Sequence, residues 1–144
     1  MPLQPGQRIT AARINRLQPR TYHAIGSGTV TGAVTNADVT GAAVTFTTET
    51  ADATYTAVCV WDVDLTGATT ATGTARMAAD GVAQSPLATF GQEVGTDRLT
   101  VTQTYSGTLG AAGSHTLKLL ASPAANQSIQ GVNSSILVTV MEAT

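Results

Sequence analysis

Residues 53–65 read ATYTAVCVWDVDL, and this stretch decides the fold class. Tyr55, Ala57, Cys59, Trp61, Val63 and Leu65 fall on one side at strict period two, the signature of a strand with one buried face. A helix would scatter the same residues around its circumference. The opposite side carries Thr54, Thr56, Val58, Val60, Asp62 and Asp64. Val58 and Val60 interrupt an otherwise polar face, so that face is expected to be covered in its middle. Asp62 and Asp64 are expected to mark a solvated strand end.

The same period recurs on both sides of this strand. GAAVTFTTE (41–49) places Val44 and Phe46 together, and DRLTVTQTYSG (97–107) sets Leu99, Val101, Gln103 and Tyr105 against threonines. GSHTLKLLAS (113–122) aligns Leu117 with Leu119, and NSSILVTVMEA (133–143) aligns Ile136, Val138 and Val140. A further strand is expected over 72–79, closed by Asp80-Gly81, a dipeptide suited to a tight hairpin turn. TYHAIGSGTVTGAVT (21–35) is glycine-rich and reads as an extended connector leading into a first strand. Threonine supplies 26 of the 144 residues and only 11% are charged, which favours β-structure because β-branched side chains fit a pleated surface. A chain of this length is one domain with a core of its own. Seven or eight short strands separated by glycine-rich turns give an all-β, jelly-roll-like β-sandwich.

The front end breaks the pattern. PGQRITAARINRLQP (5–19) reads as a helix of about two and a half turns. Thr10 is its N-cap, and Ile9 and Ile14 have the spacing of a hydrophobic staple across the cap. Ile14 and Leu17 share a face, and Pro19 ends the helix by disfavouring helical backbone at Gln18. A helix this short is marginal alone and needs a surface to dock on. Charge divides at the same place. Residues 1–37 hold Arg8, Arg13, Arg16 and Arg20 and no acid, about +4, whereas residues 38–144 hold nine carboxylates against Arg76, Arg98 and Lys118, a balance of −6. The front end therefore suits an acidic partner. A nucleic-acid surface calls for longer basic runs or interleaved aromatics, so no nucleic acid is expected.

Chemistry is sparse. Cys59, the single cysteine, lies among Val58, Val60 and Trp61 and reads as a buried, inert thiol. His23 and His115 stand at no ligand spacing from Cys, Asp or Glu. Asp62 and Asp64 are too few oxygens for a hard cation, and no carboxylate pair identifies a glycosidase. No nucleophile elbow and no phosphate-cradling glycine loop occurs. The chain is expected to be non-enzymatic, with no metal and no cofactor. No apolar run is long enough for membrane insertion and no secretory signal is visible.

Two segments carry a resemblance. PGQRITAARINRLQP resembles the N-terminal segment of small virion proteins, often called minor tail proteins, of phages infecting actinobacteria. The Ala, Thr, Gly and Val-rich, Lys-poor composition suits the GC-rich genome such a phage has. DRLTVTQTYSGTLGAAGSHTLKLLAS with NSSILVTVMEA resembles the tumour-necrosis-factor-like jelly roll of phage fibres and other trimeric virion proteins. The resemblance implies a non-enzymatic virion protein of minor tail or fibre type, a homotrimer bound to other virion proteins. A capsid decoration or head-fibre protein, or a carbohydrate-binding module recognising host-surface glycan, are the alternatives. On this basis residues 1–20 form a basic helical anchor, 21–42 a connector and first strand, and 43–144 the jelly roll. Ile9, Arg13, Ile14, Arg16 and Leu17 are the expected anchoring residues, and Val58 and Val60 the expected oligomer interface.

Overall fold

The computed structural model describes residues 8–67 and 70–142; the first seven residues of the expected anchor lie outside them. After a short helix α1 (Ala11–Arg16) come eleven strands: β1 (Arg20–Ile25), β2 (Thr29–Thr31), β3 (Ala37–Thr48), β4 (Ala53–Leu65), β5 (Ala71–Ala79), β6 (Val82–Ala83), β7 (Ala88–Gln92), β8 (Arg98–Leu109), β9 (Gly113–Ser122), β10 (Gln127–Gln130) and β11 (Ser135–Met141). They form two antiparallel sheets packed as a jelly-roll-like sandwich.

The stretch that decided the fold class runs through the middle of the first sheet. β8 pairs along one edge of β4 from Ala53↔Leu109 to Asp64↔Arg98. The other edge is shared: β11 takes Thr54–Val60 and β10 takes Val63–Leu65. β1 continues the sheet beyond β11, and β2 beyond β10. The second sheet has the order β3-β9-β5, with β6 and β7 both pairing β5.

Period two sorts the side chains as the pleat requires. Tyr55, Ala57, Cys59, Trp61, Val63 and Leu65 are all at most 4% exposed. The first five of them meet Val44, Phe46, Met77, Phe90, Leu117 and Leu119 of the second sheet in one core, together with Ile136, Val138 and Val140 of β11. Burial pushes the Cys59 thiol up to about 12, which leaves almost no thiolate at neutral pH. Two glycines permit close approaches. Gly107 lies directly opposite Tyr55, and a Cβ there would fall 2.8 Å from the tyrosine hydroxyl. A Cβ on Gly131 would overlap the Gly28 carbonyl oxygen, which accepts a hydrogen bond from the Gly131 amide at 2.7 Å.

Four expectations need correction. Residues 21–42, expected as an extended connector and first strand, are not set apart from the sandwich and contain more than one strand. They hold most of β1, all of β2 and the start of β3, with β1 bonded to β11 over six positions, so the sandwich begins at Arg20. The glycines at 26, 28, 32 and 41 disguised this, because they turn the chain between short strands. The strands number eleven among the described residues rather than seven or eight, since β2, β6 and β10 are two to four residues long and too short to show a period. α1 has six residues, under two turns. Leu17 is already its C-cap, as a proline two positions further on dictates.

Asp62 is also not a solvated strand end. It is 4% exposed. Its carboxylate accepts from Arg98 Nε at 3.0 Å and a second Arg98 nitrogen at 2.5 Å, and from Asn133 Nδ2 at 2.7 Å. The Arg98 hydrogen bonds outweigh the effect of burial and hold the Asp62 carboxyl below the usual carboxylate range.

Candidate interaction surface

Among the described residues no group of three His, Cys, Asp or Glu side chains could hold a metal, and no helix is long and apolar enough to cross a membrane. The molecule offers surfaces instead. Val34, Val82, Leu87, Val94 and Val132 are exposed singly, and the other large exposed apolar side chains fall in two groups. One is the N-terminal segment, where Ile9 is 51%, Ile14 48% and Leu17 38% exposed. The other is the outer face of the first sheet.

α1 is locally well made and poorly docked. Thr10 has extended backbone and its hydroxyl accepts from the Arg13 amide at 3.2 Å. Arg13 and Arg16 stand in the last turn, where cations favour the negative end of the helix dipole. No residue of the helix is buried. Arg16 reaches Glu49 at 3.9 Å, across a cleft lined by Ala12, Asn15, Arg16, Arg20, Glu49 and Glu142. Arg16 therefore turns toward the body, and Ile9, Ile14 and Leu17 turn to solvent.

Below the helix a carboxylate fastens three segments. Glu142, with 1% of its side chain exposed, pairs with Arg20 at the start of β1. Its other oxygen accepts from the Glu49 amide at 2.8 Å, the Thr50 amide at 3.0 Å and the Thr50 hydroxyl at 3.2 Å. The chain's end, its first strand and the β3–β4 turn meet at this one group. Period-two patterning gives no hint of it, because Glu142 lies one residue past its strand.

The outer face of the first sheet follows from the register. One row across it reads His23, Leu137, Val58, Thr104, and the next reads Ile25, Ser135, Val60, Thr102. Ile25 is 55%, Leu137 41%, Val58 36% and Met141 50% exposed, while Val60 is half-buried. Threonines and serines of β4 and β8 fill the rest, and charge appears only at one end, with Asp62, Asp64 and Arg98. Val58 and Val60 thus sit in a larger apolar field. Leu137 and Met141 were legible as off-face positions of β11, by the same alternation that exposed Val58, whereas Ile25 was hidden in the glycine-rich stretch read as a connector. β8 borders this field as an edge strand of twelve residues; among the described residues its other side has no strand partner. Most sheet edges of that length are blunted by lysine, proline or a covering segment. Residues 99–109 carry neither a charge nor a proline.

The aromatics are used up inside. Phe46, Tyr55, Trp61, Phe90 and Tyr105 are all at most 4% exposed, and half-buried Tyr22 stacks on Phe46 with ring centroids 5.0 Å apart. None offers a platform for a sugar ring. His115 is likewise structural: Nδ1 lies 2.7 Å from Asp80 and Nε2 3.0 Å from the Ala111 carbonyl.

No family model and no curated protein matches the sequence. Solved structures do match in fold. A chain of the T13 IBDV viral particle aligns at TM-score 0.52 and 14% identity, covering 98% of this chain and 35% of that one. Eiger TNF from S. frugiperda aligns at TM-score 0.50 and 11% identity, covering 85% and 92%. Dimeric latent PorU from Porphyromonas gingivalis aligns at TM-score 0.51 and 9% identity, covering 86% of this chain and 13% of that much longer one. At these identities the likeness is one of fold: this chain is similar to a jelly roll of a viral particle and to a tumour-necrosis-factor domain.

Proposed function

We propose that the protein is a non-enzymatic structural component of a bacteriophage virion, a fibre-type or minor tail trimer attached to the particle through its N-terminal segment. The observation that carries this is α1. A capped helix presents Ile9, Ile14 and Leu17 to solvent while burying none of its residues on a sandwich that is already closed. Such a segment contributes little to its own domain, and its apolar face is suited to a partner. The three are only 38–51% exposed, so covering what remains contributes roughly half of the ~1.5–3 kcal/mol of a fully buried aliphatic side chain each, repeated at every copy of an oligomer. Arg8 and Arg13 add attraction to an acidic surface, whereas Arg16 is shared with Glu49. The resemblance of residues 5–19 to phage minor tail proteins supports the tail assignment, and the fold likeness to a viral-particle jelly roll supports a virion location. A capsid decoration or head-fibre role uses the same design at the other end of the particle.

Self-association through the outer face of the first sheet completes the proposal, with Val58 and Val60 joined by Ile25, Leu137 and Met141. The body is acidic, so two copies repel over most of their surface. This uncharged window is where like can meet like. Any recognition of host glycan must proceed through polar side chains, given the buried aromatics.

The test is a truncation. Removing residues 1–18 keeps Arg20 for Glu142 and is expected to leave a folded, self-associated body that no longer enters the parent particle. Ile14→Asp with Leu17→Asp is expected to do the same, since it places charge on the face to be buried. Normal incorporation of both variants would overturn the anchor.

A further inference from the structure

We infer that His23 makes the self-association of this protein pH-dependent, holding copies together at neutral pH and releasing them in mild acid. This rests on the outer-face interface proposed above and adds its regulation. His23 stands on the outer face of β1, exposed, with Leu137 directly opposite and Val58 next in the row. Thr21 and Ile25 flank it on its own strand, and Ser135 and Thr139 are its diagonal neighbours on β11. None of these is titratable. β1 is the border of its sheet, so no strand beyond it supplies a charge.

The charges on neighbouring elements are already committed. Arg20 faces inward to Glu142, and Asp38, the one carboxylate within β3 beneath, is held by Lys118 at 2.8 Å. An imidazole in this field is satisfied by water in the free chain and tolerated as a neutral, amphipathic ring when covered. Protonated, it becomes the one cation in the apolar rows, and covering it without a carboxylate carries the cost of burying an unpaired charge. Histidine is the side chain whose charge changes between about pH 5 and 8. A copy must lose that proton to assemble. Excluding one proton per copy makes the assembly of three copies weaken by up to ~10³-fold for each pH unit of added acid.

The experiment is sedimentation or light scattering of the full chain at micromolar concentration, at pH 8 and pH 5, with circular dichroism confirming the same fold at both. The wild type is expected to be a trimer at pH 8 and a monomer at pH 5. His23→Gln, and His23→Leu should the glutamine disturb packing, are expected to remain trimeric at both. A monomer at pH 8 overturns the interface itself. A trimer at both pH values leaves the interface standing and overturns the role of His23. Acid dissociation that persists in both variants overturns it as well, because another group then carries the proton.

Discussion

Replacing Glu142 tests how the ends of the chain are fastened to the sandwich. In Glu142→Ala two backbone amides, of Glu49 and Thr50, and the Thr50 hydroxyl lose the acceptor they share at 2.8, 3.0 and 3.2 Å. A donor left unmade costs about 1–3 kcal/mol when buried. These three are only part-buried and Thr50 keeps a further partner, so the low end is the ceiling for each and the sum is at most about 3 kcal/mol. The Arg20 guanidinium keeps its water, with 36% of its side chain exposed, and adds little. Unfolding entropy of ~2.1 cal/mol/K per residue gives ~0.3 kcal/mol/K for a chain of this size, so the melting temperature is expected to fall by up to about 10 °C. Glu142→Gln keeps a carbonyl oxygen for the three donors and turns an amide toward Arg20, so a fall of only about 3 °C is expected on the same scale. Arg20→Ala should resemble the glutamine variant. Differential scanning calorimetry reads all three. A Glu142→Ala shift under about 2 °C, or a glutamine variant as damaged as the alanine, would refute the view that the shared acceptor, rather than its charge, fastens the three segments.

The Cys59 thiol, buried and raised to about 12, is expected to resist alkylation at pH 8 until the protein unfolds; stoichiometric labelling within minutes in native buffer contradicts the core assignment. Two carboxyls make stability fall in acid. Asp62 is lowered chiefly by Arg98; at Asp80 burial is the largest single effect and raises it, but His115 and the Thr116 amide together bring it below the usual carboxylate range. Because both native values lie below the unfolded ones, their stabilisation is complete above the ordinary carboxylate range, near pH 4, and drains as pH falls through the depressed native values. Below pH 5, where the chains are already separate, the melting temperature is expected to hold until about pH 4 and then to drop, and Asp62→Asn to flatten part of that drop. Gly107→Val places a branched side chain where Tyr55 already packs and is expected to destabilise by about 2–4 kcal/mol in urea titration; a loss under 1 kcal/mol means the ring moves aside freely.

Much of the fold was legible along the chain. Alternation at 53–65, 41–49, 97–107, 113–122 and 133–143 identified the core faces of β4, β3, β8, β9 and β11, because in a pleated strand the side-chain period is fixed at two whatever the strand pairs with. The Thr10 cap and the stop before Pro19 were legible for a similar reason: both are set by backbone within a few residues. The short strands were not. β2, β6 and β10 span less than two periods, and the glycines between them read as connector.

The sequence by itself determined the class of the protein, the faces of its long strands and the basic, capped segment at its front. These depend on local geometry and on which side chains leave water. Tertiary structure alone decided who meets whom. It put Glu142 against Arg20 and the β3–β4 turn, closed Arg98 and Asn133 over Asp62, and placed every aromatic in the core or against it. It also set His23, Ile25, Leu137 and Val58 side by side, from strands up to more than a hundred residues apart. No local periodicity encodes such neighbours, because register between distant strands is fixed only when both faces of the sandwich pack at once.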